Sequence, residues 1–301
     1  MISPNDLRGI IRNGLLSFPV TPFDAEDRFA SSVFKEHLEW LGQYEVAGLI
    51  VAGGTGEMFS LSPSEIVEVV RAAREVSGDR PVLAGCGYGV RMACDLAQEI
   101  EAAGGDGILL LPHYLTEGPQ EGVAERVRAV CNSTNMGVIF YNRGQSRVSA
   151  ATLAQLAGEC PNLIGFKDGT GDIDTVRRVT AMLGERLSYI GGMPTHELFA
   201  QAYKGAGMPT YSSAVFNFVP ETALAFHKAL SGGDDATCEQ MLREFYYPFA
   251  EIRDRQPGYA VSAIKAGVTL RGFQAGHVRA PLTDLTGQER ELLQEVIGGR
   301  R

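Results

Sequence analysis

A lysine, a tyrosine and a glycine-rich turn are the residues in this chain best suited to chemistry. In the run "LIGFKD" Lys167 ends the apolar stretch, and after Asp168 come Gly169, Thr170 and Gly171. Two readings of it are open. It is either the partner of Asp168 or Asp172 in a structural ion pair, or an amine whose burial lowers its pKa from about 10.4 toward neutrality and frees it to attack a carbonyl. Tyr141 and Asn142 close another run, "GVIFYN". Alone such a tyrosine is core or rim packing; beside an uncharged amine its phenol suits proton transfer at a carbonyl adduct. In "GGTGEMFSLSPSE" the glycines Gly53, Gly54 and Gly56 allow a tight turn whose N–H groups can cradle a carboxylate or phosphate, and Thr55 adds a hydroxyl. The alternative is a turn that only connects two elements.

What brings these residues together is a rhythm of strands and helices. Short apolar runs begin at Gly14, Ala47, Pro81, Gly107, Gly137, Leu163, Leu187 and Met208, with amphipathic segments such as "SPSEIVEVVRAAREV" between them. Eight alternating units predict an α/β chain folded as a (β/α)8 TIM barrel, with no G-x-G-x-x-G after the first strand to favour a doubly wound sheet. Ser62, Pro63 and Glu65 predict a capping box at one helix start. After residue 228 the strand pattern stops, and "ATCEQMLREFYYPFAEI" and "ERELLQEVIGG" read as helices. The expected division is a catalytic barrel over 1–230 and a helical extension over 231–301, with the boundary near Gly232 and Gly233.

Barrel chemistry sits where strands end. Period-two alternation puts Lys167 on one face with Gly165 and Leu163, opposite Ile164 and Phe166. Parallel neighbours lie roughly 4.8 Å apart, so the ends of runs five and six bring phenol and amine within reach. Other exits offer Tyr114, either a hydroxyl on a proton path or a packing contact, and the small residues Gly191, Gly192, Ser212 and Ser213, which permit close approach of a substrate.

Composition removes several classes. With 36 acidic against 27 basic residues and no basic cluster, a nucleic-acid partner is not expected. The five cysteines form no C-x-x-C pair and the five histidines no H-E-x-x-H, so neither a disulfide framework nor a metal is assigned. No leader pattern or apolar run near eighteen residues is present, so the expectation is a cytoplasmic chain with no membrane partner.

"GGTGE", "YN" and "GFKD", in this order and at these exits, resemble the dihydrodipicolinate synthase and N-acetylneuraminate lyase superfamily over nearly the whole chain from about Gly14. The resemblance implies a class I aldolase-like barrel without a cofactor, assembled as a homotetramer or homodimer. It implies that Lys167 forms an imine, that Tyr141, in its motif with Asn142, moves protons, and that Gly54 and Thr55 hold an α-keto carboxylate. The lysine-biosynthetic members carry a threonine where this chain has Gly54, and "NRGQSR" lacks their proline, so Arg143 and Arg147 are both candidate anion contacts. Together with "YSSAVFNFVPE" these departures resemble the decarboxylating branch, the 5-dehydro-4-deoxyglucarate dehydratases. That branch implies a dicarboxylate keto sugar acid as small-molecule partner, its far carboxylate near Ser212, Ser213 and Asn217. The competing expectations are another Schiff-base aldolase or lyase, which would release pyruvate, and a catalytically silent binding protein.

Overall fold

Each of the eight apolar runs forms a strand, and the strands pair in parallel and in chain order until the last meets the first. In the computed structural model, which describes residues 1–113 and 116–299, they are β1 (Leu16–Ser17), β2 (Gly48–Val51), β3 (Val82–Cys86), β4 (Gly107–Leu110), β5 (Gly137–Asn142), β6 (Leu163–Asp168), β7 (Ser188–Gly191) and β8 (Thr210–Ser213). Leu16 pairs with Gly48 on one side and Ser212 on the other, which closes the barrel. Residues facing the axis, among them Leu16, Ile50, Leu83, Leu109, Ile139 and Ile190, form a small interior cluster. The alternate positions pack outward, against the helices, in a much larger one. The predicted capping box is present: Ser62 Oγ accepts from the Glu65 amide while the Glu65 carboxylate accepts from the Ser62 amide.

Strict alternation fails at one place, next to the lysine. Val138 pairs with Leu163 but Ile139 pairs with Gly165, so Ile164 is an extra residue in β6. This bulge resets the facing of the strand. Leu163 packs outward and Ile164 inward, the reverse of the expectation from alternation, while Phe166 still faces the helices and Lys167 the axis.

An N-terminal helix, α1 (Pro4–Ile11), was not legible as an element. Ser3 caps it, Pro4 starts it, and Leu7 and Ile11 close the barrel floor at the starts of β4 and β5, where a side chain on Gly107 or Gly137 would meet Leu7. The barrel helices that follow are α2 (Ser31–Leu41), α3 (Pro63–Val76), α4 (Val90–Ala102), α5 (Gln120–Ser133), α6 (Ala150–Glu159), α7 (Ile173–Leu183), α8 (Ala200–Gly205) and α9 (Pro220–Gly232).

The C-terminal segment has α10 (Asp235–Met241), α11 (Tyr247–Arg253), α12 (Tyr259–Leu270) and α13 (Gly287–Ile297). A π-turn at Leu242–Tyr246 divides the expected long helix into α10 and α11, just before Pro248, which has no N–H to give a continuous helix. Helix α12 escaped the sequence reading because it is apolar on most sides and most of it is buried. Among the described residues no helix is long and apolar enough to cross a membrane.

Because Leu7 seals the floor and the strand exits lie at the other end, its truncation separates stability from function. The Leu7→Ala variant should lose about 2–5 kcal/mol, read as a lower urea midpoint with unchanged slope. Its KM should stay at the wild-type value.

Candidate active site

Lys167 reaches the axis at the exit of β6 and is 3% exposed. Its Nζ donates to Ser212 Oγ at 2.8 Å, lies 3.8 Å from the centre of the Phe18 ring and 5.0 Å from that of Tyr141. The ion-pair reading fails on the carboxylates' own commitments. Asp168, on the outward face, accepts from Asn142, Thr170 and Tyr203, and Asp172 caps α7. Burial, and then the Arg143 guanidinium, hold the Lys167 pKa well below the usual lysine range. Attraction of an ammonium to the Phe18 face opposes this, but at about 2 kcal/mol or somewhat more when desolvated it is set against several for an unpaired buried ion. The surroundings favour the uncharged amine, the form that can act as a nucleophile.

Tyr141 and Lys167 are register partners on adjacent strands, so their side chains enter the cavity together. Burial raises the phenol's pKa, with Arg143 opposing, so the hydroxyl keeps its proton. It donates to the Gly192 carbonyl at 2.8 Å and accepts from Arg143 Nη1 at 2.9 Å. Two glycines make room for this pair: a Cβ on Gly192 would fall 2.6 Å from Lys167 Cε, and one on Gly169 would fall 2.8 Å from Tyr141 Oη.

The turn after β2 has the expected place but a different internal logic. Its left-handed residues are Ala52 (φ 44°) and Glu57 (φ 58°), not its glycines. Gly53 is needed because Phe18 lies 2.9 Å from where its Cβ would be, and Gly56 because Ala52 and the Pro19 carbonyl lie at 3.0 Å. Gly54 and Thr55 line the cavity. Among the described residues their amides donate to no protein acceptor, which leaves them free for an anion.

The cavity, about 530 Å³, brings together Gly54, Thr55, Tyr141, Arg143, Lys167, Gly192 and Ser212. It leaves out three other sequence candidates. Ser213 follows Ser212 and so faces outward, donating to the buried Glu197 at 2.6 Å. Asn217 is wholly buried, bonding the Val20 amide and the Phe18 and Ala214 carbonyls, a strut for the loop after β1. Asn142 bridges Asp168 and the Val148 amide behind the sheet. Of the two arginines, both exposed, Arg143 lines the cavity, whereas Arg147 bonds the Gly144 carbonyl and does not line it. Tyr114 lies outside the described residues.

Sequence reasoning missed Phe18, which covers the amine, and Ala260, Val261 and Leu282, which bring the C-terminal segment into the cavity wall. Phe18 stands in the first strand run at the period-two position after Leu16, a signal that alternation carries. The C-terminal residues have no such mark.

Two substitutions test the electrostatics. Since burial lowers the amine's pKa in the folded state, it weakens the fold most at low pH, and the penalty fades as pH rises toward about 10.4. The Lys167→Met variant should therefore unfold at a higher temperature at pH 7, by about 2–4 °C for each kcal/mol regained, and the gain should shrink at pH 10. In Arg143→Gln a cation that disfavours the ammonium is gone. The pH at which Lys167 becomes half reactive to an amine-directed reagent should rise; an unchanged or lower value would contradict the assignment.

Comparison with known proteins agrees with this geometry. The dihydrodipicolinate synthetase family model matches residues 12–299. Over 300 residues, covering all of both chains, the sequence is 58% identical to proteins named probable 5-dehydro-4-deoxyglucarate dehydratase from Cereibacter sphaeroides and Rhizobium meliloti. The fold matches dihydrodipicolinate synthase from Oceanobacillus iheyensis with a TM-score of 0.88 at 23% identity, over 98% of each chain. The enzyme from Bacillus clausii gives 0.88 at 24%, over 97% of this chain and 98% of that one. A parallel eight-stranded barrel, the three motifs at its strand exits and a family match over nearly all its length place this chain in the dihydrodipicolinate synthetase family.

Proposed function

We propose that this chain is a decarboxylating dehydratase, converting 5-dehydro-4-deoxy-D-glucarate to 2,5-dioxopentanoate, carbon dioxide and water through an imine on Lys167. The observation that carries the reading is an uncharged lysine without a carboxylate partner, beside a protonated phenol, in a cavity lined by free amides and one guanidinium. The names of the relatives supply the substrate.

The α-keto carboxylate docks on the Gly54 and Thr55 amides, which sets the ketone before Lys167 Nζ. Attack and loss of water give a protonated imine, an electron sink. Tyr141 moves the proton of the adjacent methylene, directly or through water, while its bond to Gly192 keeps the ring in place. The resulting enamine expels the β-hydroxyl and becomes a conjugated imine. The bond between the distal carboxylate and the γ-carbon then breaks, its electron pair flowing through the conjugated system to the imine nitrogen. Protonation, tautomerisation of the γ-enol to an aldehyde and hydrolysis of the imine release the five-carbon product. Arg143 faces the distal carboxylate, a role for which Ser213 and Asn217 stand too far back.

The test incubates protein with the deoxy-keto-glucarate and borohydride, maps the adduct, and measures carbon dioxide and pyruvate without reductant. The expected results are an adduct on Lys167 and one carbon dioxide per 2,5-dioxopentanoate. An adduct on Lys204 or Lys265 would overturn the site, and pyruvate without carbon dioxide would show an aldolase.

A further inference from the structure

The chain has a second buried lysine, with the opposite surroundings. Lys265 on α12 is 1% exposed, and its Nζ donates at 2.7 Å to Glu57 Oε1, whose residue is wholly buried. The other carboxylate oxygen, Oε2, accepts from the Arg279 amide at 2.9 Å. Lys265 Nζ and the Arg279 guanidinium both lie over the Phe23 ring, at 4.0 and 4.1 Å. The same guanidinium donates to the Ser60 carbonyl and to Glu65. The segment just after the anion-binding turn is thus clasped from behind by residues more than two hundred positions later in the chain.

Glu57 is where this clasp meets the turn. Its amide donates to the Gly54 carbonyl at 3.2 Å, closing the turn that contains Thr55 and Gly56. Its φ of 58° is a left-handed conformation that a residue with a side chain keeps only where its surroundings impose it. Two hydrogen bonds on one buried carboxylate, one of them from an ammonium, impose it here. If either is lost, the backbone that aims the Gly54 and Thr55 amides is free to relax. Thr21, which donates to the Gly56 carbonyl, then remains as a tether of the turn.

We propose that Lys265 and Glu57 are a positioning pair, holding the Gly54 and Thr55 amides in the arrangement that receives the carboxylate of a keto acid. Carboxylate recognition at the barrel mouth is then set by the C-terminal segment, which also supplies Val261 from α12 and Leu282 from the connection to α13 to the cavity wall. The inference rests on the proposed reading, in which these amides receive the carboxylate of the keto acid, and its most direct measurement uses the imine on Lys167.

That measurement is borohydride trapping on Lys167, titrated with pyruvate and with hydroxyacetone, a ketone of similar size without a carboxylate. In Lys265→Met the half-saturating pyruvate concentration should rise roughly tenfold to a hundredfold, with that for hydroxyacetone unchanged. Equal shifts for both ketones, or none, would reduce the pair to a structural brace. Should Lys265→Met not fold, the double variant Glu57→Gln/Lys265→Met, which removes both charges together, takes its place. A pyruvate-selective loss in a double variant of wild-type thermal midpoint supports positioning, and wild-type pyruvate affinity overturns it. If wild type is not trapped on Lys167, the imine reading falls instead. Pyruvate affinity by calorimetry then decides the pair on the same tenfold criterion.

Discussion

Everything at the barrel mouth depends on one amine being taken out of water without a counter-ion. Lys167 has a serine hydroxyl, two aromatic rings and a guanidinium for company. None of these compensates an ammonium as a carboxylate would, so the balance shifts toward the neutral amine with its lone pair. Lys265 is as well buried, and burial lowers its pKa as well, but the Glu57 carboxylate at 2.7 Å opposes that shift. Burial alone does not make a lysine a nucleophile. The absence of a partner does, and that absence is built by sending Asp168 to the outward face, where Asn142, Thr170 and Tyr203 consume its oxygens.

Closure of the barrel turns this local condition into a site. Parallel register places Tyr141 level with Lys167, and Ile190 level with it on the other side. The bulge at Ile164 lies between the barrel floor and the lysine, so the floor can be filled by an isoleucine without changing the side from which the amine emerges. Glycines 169 and 192 then let the phenol and the lysine stem lie directly against backbone. Rigidity of this kind fixes an amine and a phenol relative to one another better than a loop would.

Much of this was legible in the sequence, and the rest was not, for identifiable reasons. The eight runs, the facing of Lys167 and the exits that carry "GGTGE", "YN" and "GFKD" follow from periodicities that the backbone itself imposes. Asn217, in the turn beyond the end of β8, is consumed by the loop after β1, and Ser213 was misplaced because closeness in sequence was taken for closeness to the cavity, although a strand turns successive side chains to opposite faces. Asn142 fails for the same reason, one residue after Tyr141. Ile164 was misread because a bulge depends on which residue the neighbouring strand presents, and one strand does not contain that information. Helix α12 and its lysine went unseen because a helix buried on most sides has no stripe to detect.

Arg143 shows how finely such a cavity must be balanced. The chain has a net charge of −9, yet the described wall of the cavity contains no carboxylate, so the local field favours anions whatever the total. On the proposed reading, one carboxylate of the substrate must stay and the other must leave. Binding that is stronger in the ground state than in the transition state slows the step it precedes. Backbone amides, fixed and multiple, suit the carboxylate that stays. A guanidinium gripping the departing carboxylate with its full fork would hold it back as its charge moves toward the imine. In this structure the fork is already divided, with Nη1 committed to Tyr141 Oη. The remaining donors can orient a carboxylate without clamping it, and the same arginine, by disfavouring the ammonium of Lys167, keeps the nucleophile ready for the next substrate.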